Sequence, residues 1–103
     1  MEIIQTSIAG TLESSDIMIT VEPAGIQPAG IQIEGIQIEL KSIVEKQFGK
    51  EILRVIRQTL SELQVTAAKI TAVDRGALDC TIEARLKTAV YRAARPAVYV
   101  WNS

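Results

Sequence analysis

Near the start of the chain, hydrophobic and polar positions alternate in two short runs, Ile4-Thr6-Ile8 and Ile17-Ile19-Val21. Between them lies the polar, turn-prone stretch Gly10-Thr11-Leu12-Glu13-Ser14-Ser15-Asp16. Period-two alternation on both sides of such a stretch predicts a β-hairpin whose exposed tip is centred on Glu13 to Asp16. Gly-Ile-Gln then recurs at 25 to 27, 30 to 32 and 35 to 37. A five-residue period matches neither a helix nor a solenoid unit. Pro23, Gly25, Pro28 and Gly30 predict a loop, and Ile31-Ile33 followed by Ile36-Ile38-Leu40 resumes the alternation, with Gly35 shifting its phase as a bulge would.

From Ser42 the period changes. Ile43, Val44, Phe48, Ile52, Val55, Ile56, Leu60 and Leu63 recur at spacings of three and four, which predicts a long amphipathic helix. Ser42 with Glu45 three residues on reads as a capping box at its start, and Gly49 is its weak point, costing about 1 kcal/mol against alanine. Lys69 to Asp74, then Asp74-Arg75-Gly76, then the alternating Cys80-Ile82-Ala84-Leu86 give a second hairpin signal. After Leu86 the spacing of Ala89, Val90 and Ala93 suits a short helix as well as a strand, and a helix there must stop before Pro96.

These elements predict a small α+β sandwich, a single domain over residues 1–103. A β-hairpin and further antiparallel strands form a sheet packed against one long amphipathic helix. A chain of 103 residues buries about 65% of its extended surface, enough for one modest core.

Composition narrows the function classes. With no histidine, Ser-His-Asp and Cys-His catalysis and His-ligated zinc are excluded, and no metal site is expected. The single cysteine, Cys80, can form neither an intrachain disulfide nor a CxxC centre and fits a reducing cytoplasm. No apolar run approaches the ~18 residues of a spanning helix, and a basic start followed by an apolar stretch is missing, so neither membrane nor secretion is indicated. Eleven Lys and Arg against twelve Asp and Glu give no electrostatic basis for holding nucleic acid.

Candidate chemistry is sparse. Ser14 and Ser15 sit between Glu13 and Asp16, and Ser and Asp populate turns because they hydrogen-bond nearby backbone. An exposed tip is also where a hydroxyl modified by another enzyme belongs, because that enzyme must enclose it. The nearest acid pairs, Glu13 with Asp16 and Asp74 with Asp79, flank turns, and nothing there supplies the burial that acid-base work requires. Cys80 shares the apolar face of its predicted strand and reads as a small core residue. Tyr91, Tyr99 and Trp101 suit either a partner-binding patch or a last packed strand. No catalytic residue is assigned.

Three blocks carry a family likeness. Ala9-Gly10-Thr11-Leu12-Glu13-Ser14-Ser15-Asp16 followed by Ile17-Met18-Ile19, then Val44-Glu45-Lys46-Gln47-Phe48-Gly49, then Val73 to Cys80 running on to Ala84-Arg85 resemble, in order, the acyl carrier protein, or gamma subunit, of bacterial citrate lyase. The resemblance implies that Ser14, the serine directly after Leu-Glu, carries 2'-(5''-phosphoribosyl)-3'-dephospho-CoA through a phosphodiester. It further implies that Ser15 is not the bearer. The thiol of that group would carry acetyl and citryl thioesters between an alpha subunit, which exchanges acetate for citrate, and a beta subunit, which releases oxaloacetate. The chain itself would catalyse neither step.

The same likeness implies a prosthetic-group transferase as a further partner, and Glu13 and Asp16, which flank the serines, are expected to help it recognise the tip. Carriers of malonate decarboxylase or citramalate lyase, and a cofactor-free α+β interaction module, are the alternatives. The Gly-Ile-Gln stretch departs from the family pattern, and Pro23 to Gly35 reads as an inserted surface loop, where added residues cost little closure entropy.

Overall fold

The computed structural model describes residues 1–24 and 35–94. Its elements are β1 (Ser7–Ala9), β2 (Ile17–Glu22), β3 (Gly35–Ser42), α1 (Glu45–Glu62), β4 (Ala67–Asp74) and α2 (Asp79–Ala93). The four strands make one sheet in the order β1-β2-β4-β3, an α+β architecture as the sequence predicts.

β1 pairs antiparallel with β2, Ile8 opposite Thr20, which forms the expected first hairpin. Its first strand is shorter than the alternation suggests. Ile4 precedes the strand and is exposed, as is Ile8, while Ile3 and Ala9 supply the buried contacts. β2 pairs antiparallel with β4, but β3 runs parallel to β4, Ile38 beside Ile70. The sheet is therefore mixed, which corrects the expectation of antiparallel strands throughout. α1 intervenes between β3 and β4, and a strand, helix, strand crossover of this kind sets its two strands parallel.

The predicted helix is present as α1, beginning at Glu45 instead of Ser42. Ser42 is the last residue of β3, where its Oγ donates to Asp74 Oδ2 at 2.8 Å and accepts from the Val44 N–H at 3.1 Å. The expected capping box at Ser42 is thus replaced by a tie between two strand ends, and Val44 caps α1 without a side-chain bond.

The second predicted hairpin is corrected outright. Cys80 to Leu86 belong to α2, in which Ile82, Leu86, Ala89, Val90 and Ala93 form the buried stripe at helical spacing. The apparent alternation came from Cys80 and Ala84, and both face solvent. The helix ends at Ala93, with Ala94 as its C-cap, before Pro96 as expected. Gly35 opens β3, whereas Ile31, Ile33 and most of the expected Pro23 to Gly35 loop lie outside the described residues.

Two helices, not one, therefore cover the sheet. α2 packs on β1 and β2, α1 packs on β3, and the helices pack on each other. Ile17, Ile19, Val21, Ile70 and Ala72 from the strands meet Ile56 and Leu60 of α1 and Ile82 and Leu86 of α2 in one core, all essentially fully buried. Each large aliphatic side chain so placed contributes about 1.5–3 kcal/mol over leaving it in water. In the same register Ile17 lies opposite Asp74, so the β1–β2 tip and the β4–α2 connection emerge side by side.

Candidate functional site

The tip runs from Gly10 to Asp16. Gly10 has φ +94°, and a Cβ there would lie 1.8 Å from the Ile17 carbonyl oxygen, so only glycine lets the two strands close at this point. Above it, the Asp16 carboxylate is turned inward and organises the loop. Oδ2 accepts from the Thr11 N–H at 3.1 Å and from Thr11 Oγ1 at 2.7 Å, and Oδ1 accepts from the Ile17 N–H at 2.7 Å. Thr11 Oγ1 in turn accepts from the Glu13 N–H at 3.1 Å.

Arg85 completes this arrangement from α2, donating Nε to Asp16 Oδ1 at 3.0 Å and Nη2 to Oδ2 at 3.1 Å. The guanidinium bonds and the Thr11 hydroxyl hold the Asp16 carboxyl well below the usual carboxylate range. The backbone adds a second anchor. The Ser15 N–H donates to the Arg75 carbonyl at 2.8 Å, and the Arg75 N–H donates to the Asp16 carbonyl at 2.9 Å. Ser15 reaches this bond from the left-handed region, at φ +65°. The β4–α2 connection is braced likewise, because buried Asp74 accepts from the Gly76 and Ala77 N–H groups at 3.1 and 3.0 Å.

Between these anchors Ser14 is exposed, and among the described residues its hydroxyl has no hydrogen-bond partner. Glu13 is exposed beside it. The sequence thus places Ser14, Glu13 and Ser15 correctly at an exposed tip, whereas Asp16 is committed inward. Neither predicted acid pair is free for proton transfer: Asp16 and Asp74 are spent on loop N–H groups and neighbours. Asp79 belongs to a different cluster, on the groove, where the neighbouring Glu51 carboxylate raises its pKa. Sequence reasoning missed Thr11, Arg85 and the Arg75 backbone as supports of the tip. The spacing signal for Arg85 was the helical stripe of α2, which sets it one residue before Leu86 and leaves its head free to reach the sheet.

Next to the tip, the first turns of α1 and α2 enclose a groove of about 660 Å³. Val44, Phe48 and Ile52 form one wall and Gly76, Ala77, Leu78 and Cys80 the other, with Glu51 and Asp79 at the rim. Phe48 is 48% exposed and Leu78 70%. Cys80, expected in the core, is an exposed free thiol on this wall. Tyr91 is exposed, and Tyr99 and Trp101 lie outside the described residues. Among the described residues no cluster of side chains suits a metal ion, and no helix is long and apolar enough to cross a membrane.

Residues 4–93 match the family model described as malonate decarboxylase delta subunit. The citrate lyase acyl carrier protein of Streptococcus mutans serotype c is 56% identical over 102 residues, 99% of this chain and 93% of that protein. Those of Streptococcus pyogenes serotypes M4 and M28 are each 55% identical over the same shares. Among solved structures, a chain of the Pseudomonas malonate decarboxylase hetero-tetramer in complex with malonate has the same fold, with TM-score 0.65 and 15% identity, covering 91% of this chain and 93% of that one. With identity above half along nearly its whole length, the chain belongs to the citrate lyase acyl carrier protein family.

Proposed function

We propose that this chain is the acyl carrier subunit of a citrate lyase and that Ser14 bears phosphoribosyl-dephospho-CoA through a phosphodiester. The observation that carries the reading is the state of Ser14, a hydroxyl that is exposed and, among the described residues, without a partner, on a loop held in place through Asp16, Thr11 and the Ser15 N–H. The donor chemistry fits the group. Attachment adds a negative charge at the tip, and the adjacent Asp16 charge is already balanced by Arg85, which leaves Glu13 as the nearest carboxylate in sequence. When attached, the group supplies a thiol that takes acyl groups as thioesters.

The chain's own residues contribute position. Gly10, Thr11, Asp16 and Arg85 hold the mount on the sheet, so the arm swings from a fixed origin and meets partner active sites at an effective concentration set by its length. Transfer between an alpha and a beta subunit, and Glu13 as the transferase's contact, belong to this proposal. The 55–56% identity to citrate lyase carriers, against 15% to the malonate decarboxylase chain, favours citrate lyase.

The test is the intact mass of the protein after co-expression with a citrate lyase prosthetic-group transferase, with peptide mapping over residues 10–20. The expected result is a mass increase matching phosphoribosyl-dephospho-CoA on Ser14, absent from Ser14→Ala. An unmodified Ser14 under conditions that load a known carrier would overturn it in favour of a cofactor-free module.

A further inference from the structure

We infer that Arg75 supplies the cation for the phosphodiester on Ser14 and so fixes the root of the arm, an inference that rests on the carrier reading. The first argument is placement. The Ser15 N–H donates to the Arg75 carbonyl and the Arg75 N–H donates to the Asp16 carbonyl, so two residues of the tip oppose one at the end of β4. With Ser15 at φ +65° this is a β-bulge whose first residue is left-handed, and it locks the tip against Arg75. Paired residues lie about 5.5 Å apart between Cα atoms and chain neighbours about 3.8 Å, which keeps Ser14 within about 9 Å of Arg75. An extended arginine side chain and a phosphate on the serine oxygen together span that gap.

The second argument is availability. Asp74 faces the core, so alternation turns Arg75 to the opposite, open face of the sheet, where it is exposed. Among the described residues its guanidinium makes no hydrogen bond or ion pair, not even with Glu13 on the same tip. Arg85, the other arginine at the tip, is held by Asp16. Lys41, on the same open face, lies beside Val73, one strand and two residues further away.

The third argument is chemistry. The N–H groups of Thr11, Glu13, Ser15, Asp16 and Ile17 already donate to acceptors in the loop or to Arg75. The charge that a phosphodiester brings is therefore met by a side chain. A guanidinium is suited to it, because its planar fork offers two parallel N–H donors to two phosphate oxygens. Held in this way, the first bonds of the arm keep one direction from the tip instead of many.

The experiment uses the loaded full-length protein, its modification first established by intact mass. The arginine Nε–H resonances of loaded and unloaded protein are compared. The Arg75 Nε–H is expected to shift on loading and to exchange with solvent at least about threefold more slowly, the modest protection of an exposed ion pair, while that of Arg57 on α1 is unchanged. In the phosphorus spectrum of loaded Arg75→Gln, the phosphodiester resonance should move to the position it has in the modified peptide 10–20 released by proteolysis. Arg75→Lys, which keeps the charge but not the fork, should lie between, and the diphosphate resonance of the arm should stay in place. Amide spectra of unloaded Arg75→Gln should match the native protein at the tip, since the backbone bonds of Arg75 remain.

An Arg75 Nε–H indifferent to loading, or a phosphodiester resonance that is the same in native protein and Arg75→Gln, would overturn the pairing while leaving the carrier reading intact. Should the transferase fail to load Arg75→Gln, the Nε–H comparison on native protein decides alone. A Ser14 that is never modified would overturn both.

Discussion

Arg85, on α2, meets Asp16, at the foot of the tip, through two contacts of 3.0 and 3.1 Å across 69 residues of sequence. A loop seven residues long is thereby fixed to a helix, and Asp16 is the hub of the arrangement. Asp16→Ala should lower stability by about 2–3 kcal/mol, since it strands the Thr11 and Ile17 donors together with the guanidinium. Arg85 is more open to water, so Arg85→Ala should cost only about 1 kcal/mol. Urea unfolding of both variants checks the order. Equal losses would mean that the guanidinium, not the loop N–H groups, is the main support.

The same carboxylate sets a pH dependence. Asp16 titrates below its unfolded value of about 3.9, so the unfolded chain binds the proton first as acid is added. Its contribution is fully present above about pH 5 and declines as the pH falls through 4 and below. Unfolding free energies measured from pH 7 to pH 2 should drop in this window for the native chain and less steeply for Asp16→Asn. Parallel curves would show that other carboxylates govern acid unfolding. Glu51 is shifted down by the Arg54 guanidinium and Asp79 up by the Glu51 carboxylate, so at the exposed groove rim their contributions to the pH dependence oppose each other.

Much of this was legible in the chain. The tip was readable because strand alternation stops at Gly10 and resumes at Ile17, and α1 because eight apolar residues hold one helical period. What misled was α2, where Cys80, Ile82, Ala84 and Leu86 satisfy a period of two. The same segment satisfies a helical period through Ile82, Leu86, Ala89, Val90 and Ala93, and no Gly or Pro interrupts it. The longer pattern won because it can bury a full stripe against two strands and α1. The inward turn of Asp16 was not legible, since its partners Thr11 and Arg85 are brought together only by the fold. Nor was the groove: Val44 and Phe48 carry the apolar period past the end of the core and onto its wall, and the period gives no sign of where the core stops.

Two glycines separate strain from collision. Gly10 and Gly76 both have φ +94°, but a Cβ at Gly10 strikes the Ile17 carbonyl oxygen, whereas at Gly76 it meets open space. Gly76→Ala should cost about 1–2 kcal/mol, the conformational penalty alone. Gly10→Ala should cost at least about 3 kcal/mol, because β1 and β2 must also part and the backbone there is forced from its geometry. Thermal unfolding of the pair checks this, and similar losses would mean that the hairpin relaxes around the added methyl.

Cys80 and Leu86 lie on the same helix and test its assignment together. In a strand reading they share one buried face, so both substitutions would damage the core. In the observed helix Cys80 is exposed on the groove while Leu86 is fully buried. Leu86→Ala should therefore cost about 2–5 kcal/mol and Cys80→Ser within about 0.5 kcal/mol, by equilibrium unfolding. The native Cys80 thiol should also react with a small disulfide reagent as fast as the unfolded chain to within about tenfold, since nothing but partial screening by Leu78 and Phe48 protects it. A thiol that reacts only on unfolding would place Cys80 in the core and remove the free wall on which α2 borders the groove.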